Sequence, residues 1–363
     1  MVKNIKAVIG LNYGDEGKGQ VVDYLSNEAA LKGDEVLNIL TNGSSQRGHT
    51  VELPNGRRHV FHHFGSGTFA GADTYFPKQF MVNPIIFNQE YDELEEYLGN
   101  TVIISHKECP VVTPYHMLVG QARETKDRNG SCGQGVWETS KYPYLKVGYM
   151  AFYSFTHTLA IIRYIRDKLA KECNYKLPDI YWSEDLFWSF VVDCCEFIER
   201  INWCADNDCL VLKGYNTVIF ENGQGLLLDQ KLPDKDHLTP SNTDLTNVKE
   251  ILKDTEYENF ETIYVTRSYM TRHGNGPFPT ECNKEDINLT IIDPTNVYNE
   301  WQGNLRYGYM DWDTANKRIE RYGTTSLAVT HTNEYEPNVP DYLDVDRIYW
   351  SDGMTRKSFK ISS

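Results

Sequence analysis

The chain has 363 residues, of which 40% are hydrophobic and 24% are charged, a balance typical of a folded globular protein rather than a disordered one. Its formal net charge of -15 creates a negative field that disfavours a nucleic acid polymer or an anionic membrane as a partner. The cysteines form no C-x-x-C pair, and neither a signal sequence nor a long apolar span follows Met1. We therefore expect a cytoplasmic protein with reduced thiols and small-molecule ligands.

Apolar, β-rich runs that end in polar turns predict most of the architecture. Residues 4–12 predict a strand, residues 14–19 a glycine-rich turn, residues 20–32 a helix and residues 35–42 a second strand. A βαβ unit at the start of a chain favours a parallel sheet. Further buried strands are predicted at 101–105, 216–222, 262–268 and 325–332. Ligands of such sheets bind where the strands end.

Two helical stretches between residues 151 and 209, separated by Pro178, predict a helical insertion. Because the sequence contains no internal repeat and no flexible linker, we expect a single domain over residues 1–363. The expected fold class is α/β: a P-loop-like fold with a large, mostly parallel central sheet and a helical subdomain.

The segment Gly14-Asp15-Glu16-Gly17-Lys18-Gly19 falls between the first predicted strand and helix. Glycines at this position let backbone N–H groups converge on an anion, and the lysine adds a positive charge. It is not a Walker A loop, because no serine or threonine follows the lysine. Alone, the segment is better interpreted as an ordinary glycine-rich turn with a solvated charge cluster, since short glycine patterns are weak evidence.

Four more polar segments stand at or near the ends of predicted strands. Residues 43–50 present His49 among small residues, residues 221–229 hold Gln224 between glycines, and residues 239–243 and 272–281 are rich in turn residues. Each segment alone could be a structural turn.

In chain order, GDEGKG, GHT, GQG with LLD, SNT and GPFPTE resemble the adenylosuccinate synthetase family, which replaces a purine 6-oxo group with aspartate. The resemblance runs from about residue 5 to residue 281, with weaker traces to residue 356. It implies a Mg²⁺-dependent ligase whose substrates are a purine nucleoside monophosphate, L-aspartate and a nucleoside triphosphate. It also implies a homodimer.

The resemblance implies specific roles for the matched residues. Asp15 would remove the N1 proton of the purine and bind Mg²⁺, with the Gly48 carbonyl as a second metal ligand. His49 would donate a hydrogen bond to the transferring phosphoryl oxygen, and Gln224 would contact the purine edge.

Further binding residues follow from the same resemblance. Cys132 stands where the family has a threonine, which weakens one expected phosphate contact. Aspartate contacts would come from Thr280 and Arg306. Phosphate or nucleotide contacts would come from Gly14, Glu16, Gly17, Lys18, Gly19, Gln46, Gly48, Thr50, Ser131, Cys132, Thr239, Asn333, Ser351 and Gly353.

Two departures from the family pattern bear on the substrates. The family reads guanine with T-K-x-D, where this chain has Thr330-His331-Thr332-Asn333, and an amide suits adenine better than guanine. This favours ATP or dATP as the donor. The arginine-rich loop of the family shrinks at residues 303–307, removing an arginine from the neighbourhood of the ribose 2′-hydroxyl. The chain thus resembles the phage branch, which acts on dGMP to make N6-succino-2-amino-2′-deoxyadenylate, in the host cytoplasm if phage-encoded.

Two alternatives stay open. Many members of the phage branch lack the aspartate that Asp15 represents, so its retention favours an ordinary synthetase that uses IMP and GTP. A catalytically inactive, nucleotide-binding regulatory module is the alternative of another class. Retention of Asp15, Lys18, His49 and Gln224 counts against that last interpretation, since drift would be expected to remove some of them.

Overall fold

The structure is a computed structural model that describes residues 4–127, 131–233, 237–257, 259–293, 296, 298, 302–322 and 326–362. Its strands, in chain order, are β1 (Asn4–Gly10), β2 (Val36–Leu40), β3 (His49–Glu52), β4 (Arg58–Phe61), β5 (Asp73–Phe76), β6 (Ile103–His106), β7 (Trp203–Ala205), β8 (Thr217–Gly225), β9 (Glu261–Arg267), β10 (Met270–Arg272), β11 (Glu281–Cys282), β12 (Arg306–Gly308), β13 (Ser326–Thr330), β14 (Arg347–Ser351) and β15 (Phe359–Ser362).

The helices cover the faces of the main sheet and fill the long connections. In chain order they are α1 (Lys18–Ala30), α2 (Pro84–Leu98), α3 (Pro114–Asp127), α4 (Val136–Lys141), α5 (Val147–Phe152), α6 (Phe155–Glu172), α7 (Glu184–Arg200), α8 (Asp208–Leu212), α9 (Thr246–Leu252), α10 (Lys284–Ile287) and α11 (Trp312–Tyr322). None of these helices is both long enough and apolar enough to cross a membrane.

Ten strands of the described residues form one sheet, in the order β15-β14-β13-β9-β1-β8-β2-β5-β6-β7. Every neighbouring pair is parallel except β14 and β15 at one edge. The expected α/β class with a large, mostly parallel sheet is confirmed. Central strands such as β2 (VLNIL) are buried throughout, because helices cover both faces of a parallel sheet.

Apolar runs located the predicted strands to within a few residues, whereas several short strands were missed. Strands β5, β7, β14 and β15 have three to five residues each, too short to stand out as apolar runs. Strands β7, β14 and β15 extend the two edges of the sheet and β5 lies between β2 and β6, so the sheet is wider than the sequence indicated.

The helical part of the chain differs in extent from the expected insertion at residues 151–209. Helices α3 to α7 all lie between β6 and β7, so the helical segment begins at Pro114. The end of the expected range contains strand β7, which pairs with β6. The helices pack on the sheet through a core that includes Phe76, Phe87 and Phe197.

Parallel strands bring distant segments to a single edge. The connections after β1, β2, β8, β9 and β13 all leave the sheet at the carboxyl ends of neighbouring strands. Those connections contain the glycine-rich loop, residues 43–50, Gln224, residues 272–281 and residues 331–333. The fold therefore gathers the polar motifs of the sequence along one edge.

Candidate active site

The glycine-rich loop, residues 14–19, joins β1 to α1. Gly17 has a φ of 85°, in the left-handed region that favours glycine. A Cβ at Gly19 would lie 2.9 Å from the Cβ of His49, so the start of α1 approaches β3 this closely only because residue 19 is glycine. The loop and His49 are thus adjacent, as the sequence predicted.

Glu16 braces this loop from inside. Its Oε1 accepts the N–H of Asn12 at 2.5 Å, and its Oε2 lies 3.7 Å from the buried ammonium of Lys18, which donates to the carbonyl oxygen of Gly14. Burial raises the pKa of Glu16 to about 7, although Lys18 opposes the rise. The side chain thus supports the loop, although its Oε2 has no hydrogen-bond partner among the described residues. Glu16 also lines the loop cleft, and its expected phosphate contact stays a prediction.

His49 is held by a buried ionic network. Its Nδ1 lies 2.5 Å from Glu221 Oε1, the same oxygen to which Arg47 Nη2 donates at 2.5 Å. The backbone N–H of Ser66 donates to Oε2 of this carboxylate at 3.0 Å. Nδ1 also lies 2.8 Å from Arg47 Nη2, but its shorter contact is with a carboxylate oxygen, which only accepts hydrogen bonds, so we place the imidazole proton on Nδ1. The other ring nitrogen, Nε2, faces away from Glu221 and is left for a ligand.

The network also fixes the charge of these groups. Burial and the nearby Arg47 lower the pKa of His49 to about 3. Burial alone would raise the pKa of Glu221, but Arg47, His49 and Ser66 outweigh it and bring that pKa to about 2. His49 is thus neutral beside an ionised Arg47–Glu221 pair. The predicted donation to a phosphoryl oxygen needs a second proton on Nε2, which the negative charge of bound nucleotides favours.

Two clefts open along the carboxyl edge of the sheet and share a wall. The first, of about 170 Å³, is lined by the glycine-rich loop and by residues 331, 333, 334 and 353, and we call it the loop cleft. The second, of about 360 Å³, is lined by residues of the 43–50, 131–137, 237–240 and 273–275 segments, and we call it the wide cleft. Gly14, Asp15, Gly48 and His49 line both clefts.

Asp15 stands in this shared wall with its side chain 28% exposed. Its backbone carbonyl accepts from Arg267 Nε at 2.5 Å, and Arg267 is itself anchored on Asp293 at 2.9 Å. The imidazole Nε2 of His273 lies 3.6 Å from Asp15 Oδ2. Arg267 belongs to none of the motifs singled out from the sequence, although a charged residue that ends an apolar strand is a usable signal.

Gln224 lines the wide cleft in a strained conformation. It has a φ of 60°, which is uncommon for a residue with a side chain. Its Oε1 is buried and has no hydrogen-bond partner among the described residues. Backbone strain and an unsatisfied acceptor beside a cleft favour a ligand-binding role, as the sequence predicted for this residue.

The side chains expected to hold the 5′-phosphate lie together in the wide cleft. Gln46 Nε2 donates to Thr239 Oγ1 at 3.3 Å, and Cys132 Sγ lies 4.0 Å from Gln46 Oε1. Ser131 lines the same cleft. Burial raises the pKa of Cys132 to about 11, so its thiol stays neutral and does not repel an anion.

The far end of the loop cleft carries the residues expected to read the donor base. Asn333 is exposed and lines this cleft together with Gly353, and Thr50 lines it near the glycine-rich loop. Ser351 is buried and accepts from Gln20 Nε2 at 3.1 Å. Ser351 therefore supports helix α1, and its expected nucleotide contact stays a prediction.

The two expected aspartate ligands do not line either cleft. The guanidinium of Arg306 pairs with Glu281 and donates to the carbonyl oxygen of Gly276 at 2.9 Å. Thr280 Oγ1 lies 3.8 Å from the sulfur of Met270. These contacts support the β10-β12-β11 sheet, and the expected aspartate contacts of Thr280 and Arg306 stay predictions.

Among the residues that the structure describes, no three His, Cys, Asp or Glu side chains converge as a ready metal site. The shared wall nevertheless offers oxygen ligands of the kind Mg²⁺ prefers, namely the partly exposed Asp15 carboxylate and the exposed backbone of Gly48. Mg²⁺ commonly binds through one or two carboxylates together with substrate phosphates. These two residues therefore fit a Mg²⁺ that arrives with a nucleotide.

Solved structures share this fold over nearly the whole chain. The fully ligated adenylosuccinate synthetase of Plasmodium falciparum superposes with a TM-score of 0.81 at 17% identity, covering 99% of this chain and 100% of that one. The succinoaminodeoxyadenylate synthetase of cyanophage S-2L, solved with dGMP and with dATP as an energy donor, superposes with a TM-score of 0.69 at 18% identity, covering 99% and 95%.

Curated sequences agree with the fold. Adenylosuccinate synthetase of Thermoplasma volcanium is 27% identical over 89% of this chain and 74% of its own length. That of Legionella pneumophila is 27% identical over 96% of this chain and 80% of its own length. The adenylosuccinate synthetase family model matches residues 7–356. The chain therefore belongs to the adenylosuccinate synthetase family, whose members are C–N ligases that join aspartate to a purine nucleotide using a nucleoside triphosphate.

Proposed function

We propose that this ligase joins L-aspartate to C6 of dGMP, with ATP or dATP as the phosphoryl donor, and forms N6-succino-2-amino-2′-deoxyadenylate. The observation that carries the proposal is Asn333, an amide that lines the loop cleft where the family pattern has a base-reading carboxylate. The loop cleft would hold the donor nucleotide, and the wide cleft would hold the acceptor.

The donor preference follows from hydrogen-bond chemistry. Guanine presents two adjacent donors, N1–H and the 2-amino group, which a carboxylate accepts together. The amide of Asn333 offers one donor and one acceptor, so guanine would leave two donors facing each other. Adenine, with N1 as acceptor and its 6-amino group as donor, matches the amide fully. ATP or dATP therefore suits the loop cleft better than GTP.

The acceptor preference rests on two features of this chain. An enzyme whose donor site no longer reads guanine can accept a guanine nucleotide in its other cleft without competition between donor and acceptor. The segment at residues 303–307 also lacks the arginine-rich character that the family has near the ribose 2′-hydroxyl. This removes a reason to prefer a ribonucleotide. The cyanophage synthetase of similar fold was solved with dGMP and dATP, so its ligands are the natural ones to test.

The chemistry would take place at the wall shared by the two clefts. Asp15 would take the N1 proton, which makes O6 a nucleophile for the γ-phosphorus of the donor. The aspartate amine would then displace the O6-bound phosphate at C6, so that inorganic phosphate leaves with the former oxo oxygen. Glu221 orients His49, whose imidazole is neutral in the free protein. Once bound nucleotides favour a proton on Nε2, the imidazole would donate to the transferring phosphoryl group and stabilise it.

Several groups would hold the reactants in place. Lys18 and the backbone of the glycine-rich loop would hold donor phosphates, and Gln224 would contact the purine edge. Mg²⁺ would be held by the Asp15 carboxylate and the Gly48 carbonyl, where it neutralises phosphate charge when bound. Gln46, Ser131, Cys132 and Thr239 would contact the acceptor 5′-phosphate.

One specific observation favours a second candidate, an ordinary synthetase acting on IMP with GTP. Asp15 is present, in the shared wall, whereas many members of the phage branch lack the corresponding aspartate. We further propose that residues 1–363 act as one catalytic domain, that the protein is a cytoplasmic homodimer and that it binds no nucleic acid polymer or membrane.

The test is a matrix of initial rates. IMP, GMP and dGMP are each combined with ATP, dATP or GTP in the presence of aspartate and Mg²⁺, and the succinylated product is identified by mass. We expect the highest rates for dGMP with ATP or dATP. A clear preference for IMP with GTP at equal concentrations would overturn the proposal. It would support the second candidate, an ordinary synthetase of purine biosynthesis.

A further inference from the structure

His331 lines the loop cleft directly after strand β13, and the proposed chemistry gives it no role. Its backbone has a φ of 58°, which is uncommon for a residue with a side chain. Two donors hold this conformation: Ser268 Oγ lies 2.8 Å from the His331 carbonyl oxygen, and the N–H of Glu334 lies 3.0 Å from it. Strained backbone held in place beside a cleft is typical of residues that bind ligands.

The contacts of Thr330 indicate which ring nitrogen of His331 carries the proton. Thr330 Oγ1 lies 2.8 Å from the carbonyl oxygen of Glu16 and 3.3 Å from that of Thr266. Its distance to His331 Nδ1 is also 2.8 Å. Carbonyl oxygens only accept, so the single hydroxyl proton is donated to one of them, and the hydroxyl oxygen accepts from Nδ1–H. Burial and the nearby Arg267 keep the pKa of His331 well below its usual range, so the imidazole is neutral and Nε2 carries a lone pair.

Nε2 is the polar atom of this ring that a ligand can reach. His331 is partly exposed, and its Nε2 has no hydrogen-bond partner among the described residues. It is not one of the polar atoms sealed from solvent, in contrast to Oε1 of Gln224. The loop cleft therefore contains an accessible imidazole acceptor two residues from the amide of Asn333.

We propose that His331 Nε2 accepts a hydrogen bond from the 6-amino group of the donor adenine, which makes His331 a second specificity-determining residue beside Asn333. The inference rests on the proposed function, in which the loop cleft holds ATP or dATP. N1, N3 and N7 of adenine offer only lone pairs, so the 6-amino group is the one donor of the base that an acceptor can meet. That group has two N–H bonds, and Asn333, on the Watson–Crick edge, uses only one of them.

The same acceptor disfavours guanine. Guanine carries O6 where adenine carries the 6-amino group, and the lone pairs of O6 and Nε2 would face each other. The family pattern T-K-x-D has a lysine at this position, and an ammonium group only donates, which suits O6. His331 thus changes the hydrogen-bond character of its position in the same direction as Asn333 does, from guanine toward adenine.

The experiment compares ATP with two analogues in the wild-type enzyme and two variants, with the acceptor that gives the highest rate in the matrix. Purine riboside triphosphate lacks only the 6-amino group, and 7-deaza-ATP lacks only the N7 lone pair. His331→Leu removes the acceptor, whereas the matched control His331→Gln keeps an amide oxygen near the position of Nε2. The readout is the ratio of kcat/KM for ATP to that for each analogue, in which a uniform loss of activity cancels.

We expect the wild type to favour ATP over purine riboside triphosphate, and His331→Leu to reduce this ratio by about tenfold, the worth of one hydrogen bond. His331→Gln should retain most of the ratio. All three proteins should use 7-deaza-ATP about as well as ATP, because an acceptor at Nε2 gains nothing from N7.

Three results would overturn the inference. A ratio that is unchanged in His331→Leu, in an enzyme that prefers ATP to GTP, removes the role of His331 and leaves the proposed function intact. A loss with 7-deaza-ATP that disappears in His331→Leu does the same, because Nε2 would then donate to N7. A wild type that prefers GTP to ATP overturns both His331 and the proposed donor.

Discussion

The two clefts are built in different ways. The glycine-rich loop, which forms the phosphate end of the loop cleft, is held by contacts four residues apart, such as Asn12 with Glu16 and Lys18 with Gly14, whereas the far end of that cleft comes from residues 331, 333, 334 and 353. The wide cleft depends on side chains that are distant in sequence: Arg47 and Glu221 are 174 residues apart, and Gln46 and Thr239 are 193 apart. A phosphate can be held by one local loop, because backbone N–H groups recognise it alike in every nucleotide. Recognition of a particular acceptor needs side chains gathered by the whole fold.

This contrast implies different consequences of mutation. Changes to side chains at the loop cleft should alter turnover or donor choice while the protein stays folded. Changes to the buried network behind the wide cleft should also reduce stability, since that network joins β3 to the middle of β8.

The largest effect is expected for Glu221→Ala. It removes the carboxylate that satisfies Arg47 and His49, and leaves the Arg47 guanidinium buried without its counter-charge. Losing one partner of a buried ion pair typically costs about 3–5 kcal/mol of unfolding free energy. The measurement is urea unfolding followed by circular dichroism.

Glu250→Ala is the matched control. Glu250 pairs with Lys78 at 2.8 Å, but the two side chains are 44% and 45% exposed, so about 1 kcal/mol or less should be lost. Equal losses in the two variants would contradict the view that the wide cleft depends on a buried network.

Asp15→Ala should reduce kcat by at least about 10²-fold, the low end for removal of a general base, without lowering the melting temperature. The side chain is partly exposed and its backbone carbonyl, which Arg267 holds, is retained in the variant. Steady-state kinetics measure the change in kcat, and thermal unfolding measures the melting temperature. Near-normal turnover would mean that substrate phosphate or water serves as the base.

Asn333→Asp should shift the donor preference from ATP toward GTP by about tenfold, because a carboxylate accepts both guanine donors that an amide mismatches. Stability should be unchanged, since Asn333 is exposed. The measurement is the ratio of kcat/KM for GTP and ATP in the two proteins. An unchanged ratio, or a wild type that uses GTP as well as ATP, would remove Asn333 from the donor site.

A pH-dependent effect on stability, rather than on turnover, is expected for His63. It is fully buried, its Nε2 accepts the N–H of Asn83 at 3.0 Å, and burial lowers its pKa to about 3 despite the nearby Glu90. A pKa below the unfolded value means that the folded protein resists protonation. Stability contributed by neutral His63 is complete above about pH 6.5 and is lost as pH falls toward 3.

His63→Gln keeps an acceptor for Asn83 but does not titrate. Between pH 6 and pH 4, its unfolding free energy should fall less steeply than that of the wild type, by up to about 1.4 kcal/mol per pH unit. Parallel pH dependences would show that His63 does not remain neutral in the folded protein.

Sequence reasoning reached the local features and missed the long-range ones. The parallel sheet, the glycine-rich loop and its proximity to His49 were predictable, because each depends on a contiguous pattern or on the common edge of parallel strands. The hydrogen-bond partners of His49 were not predictable, although Arg47 and Glu221 both lie inside segments singled out from the sequence. Nothing in either segment indicates that the two side chains meet.

The same limit applies to the expected ligands whose side chains already have partners in the structure. Ser351 and Arg306 match the family pattern by position, yet Gln20 and Glu281 engage their side chains. A matched position identifies a segment near the site. Which atoms of that segment stay available to a ligand is decided by packing with residues far along the chain.

The central claim is that phosphoryl transfer to the purine oxygen takes place at the wall between the two clefts. Its most direct test uses dGMP labelled with ¹⁸O at the 6-oxo position, together with ATP, aspartate and Mg²⁺, and ³¹P NMR of the released phosphate. Transfer to O6 followed by displacement predicts that each phosphate carries the label, and that Asp15→Ala abolishes the labelled signal. Succinylated product accompanied by unlabelled phosphate would contradict the account.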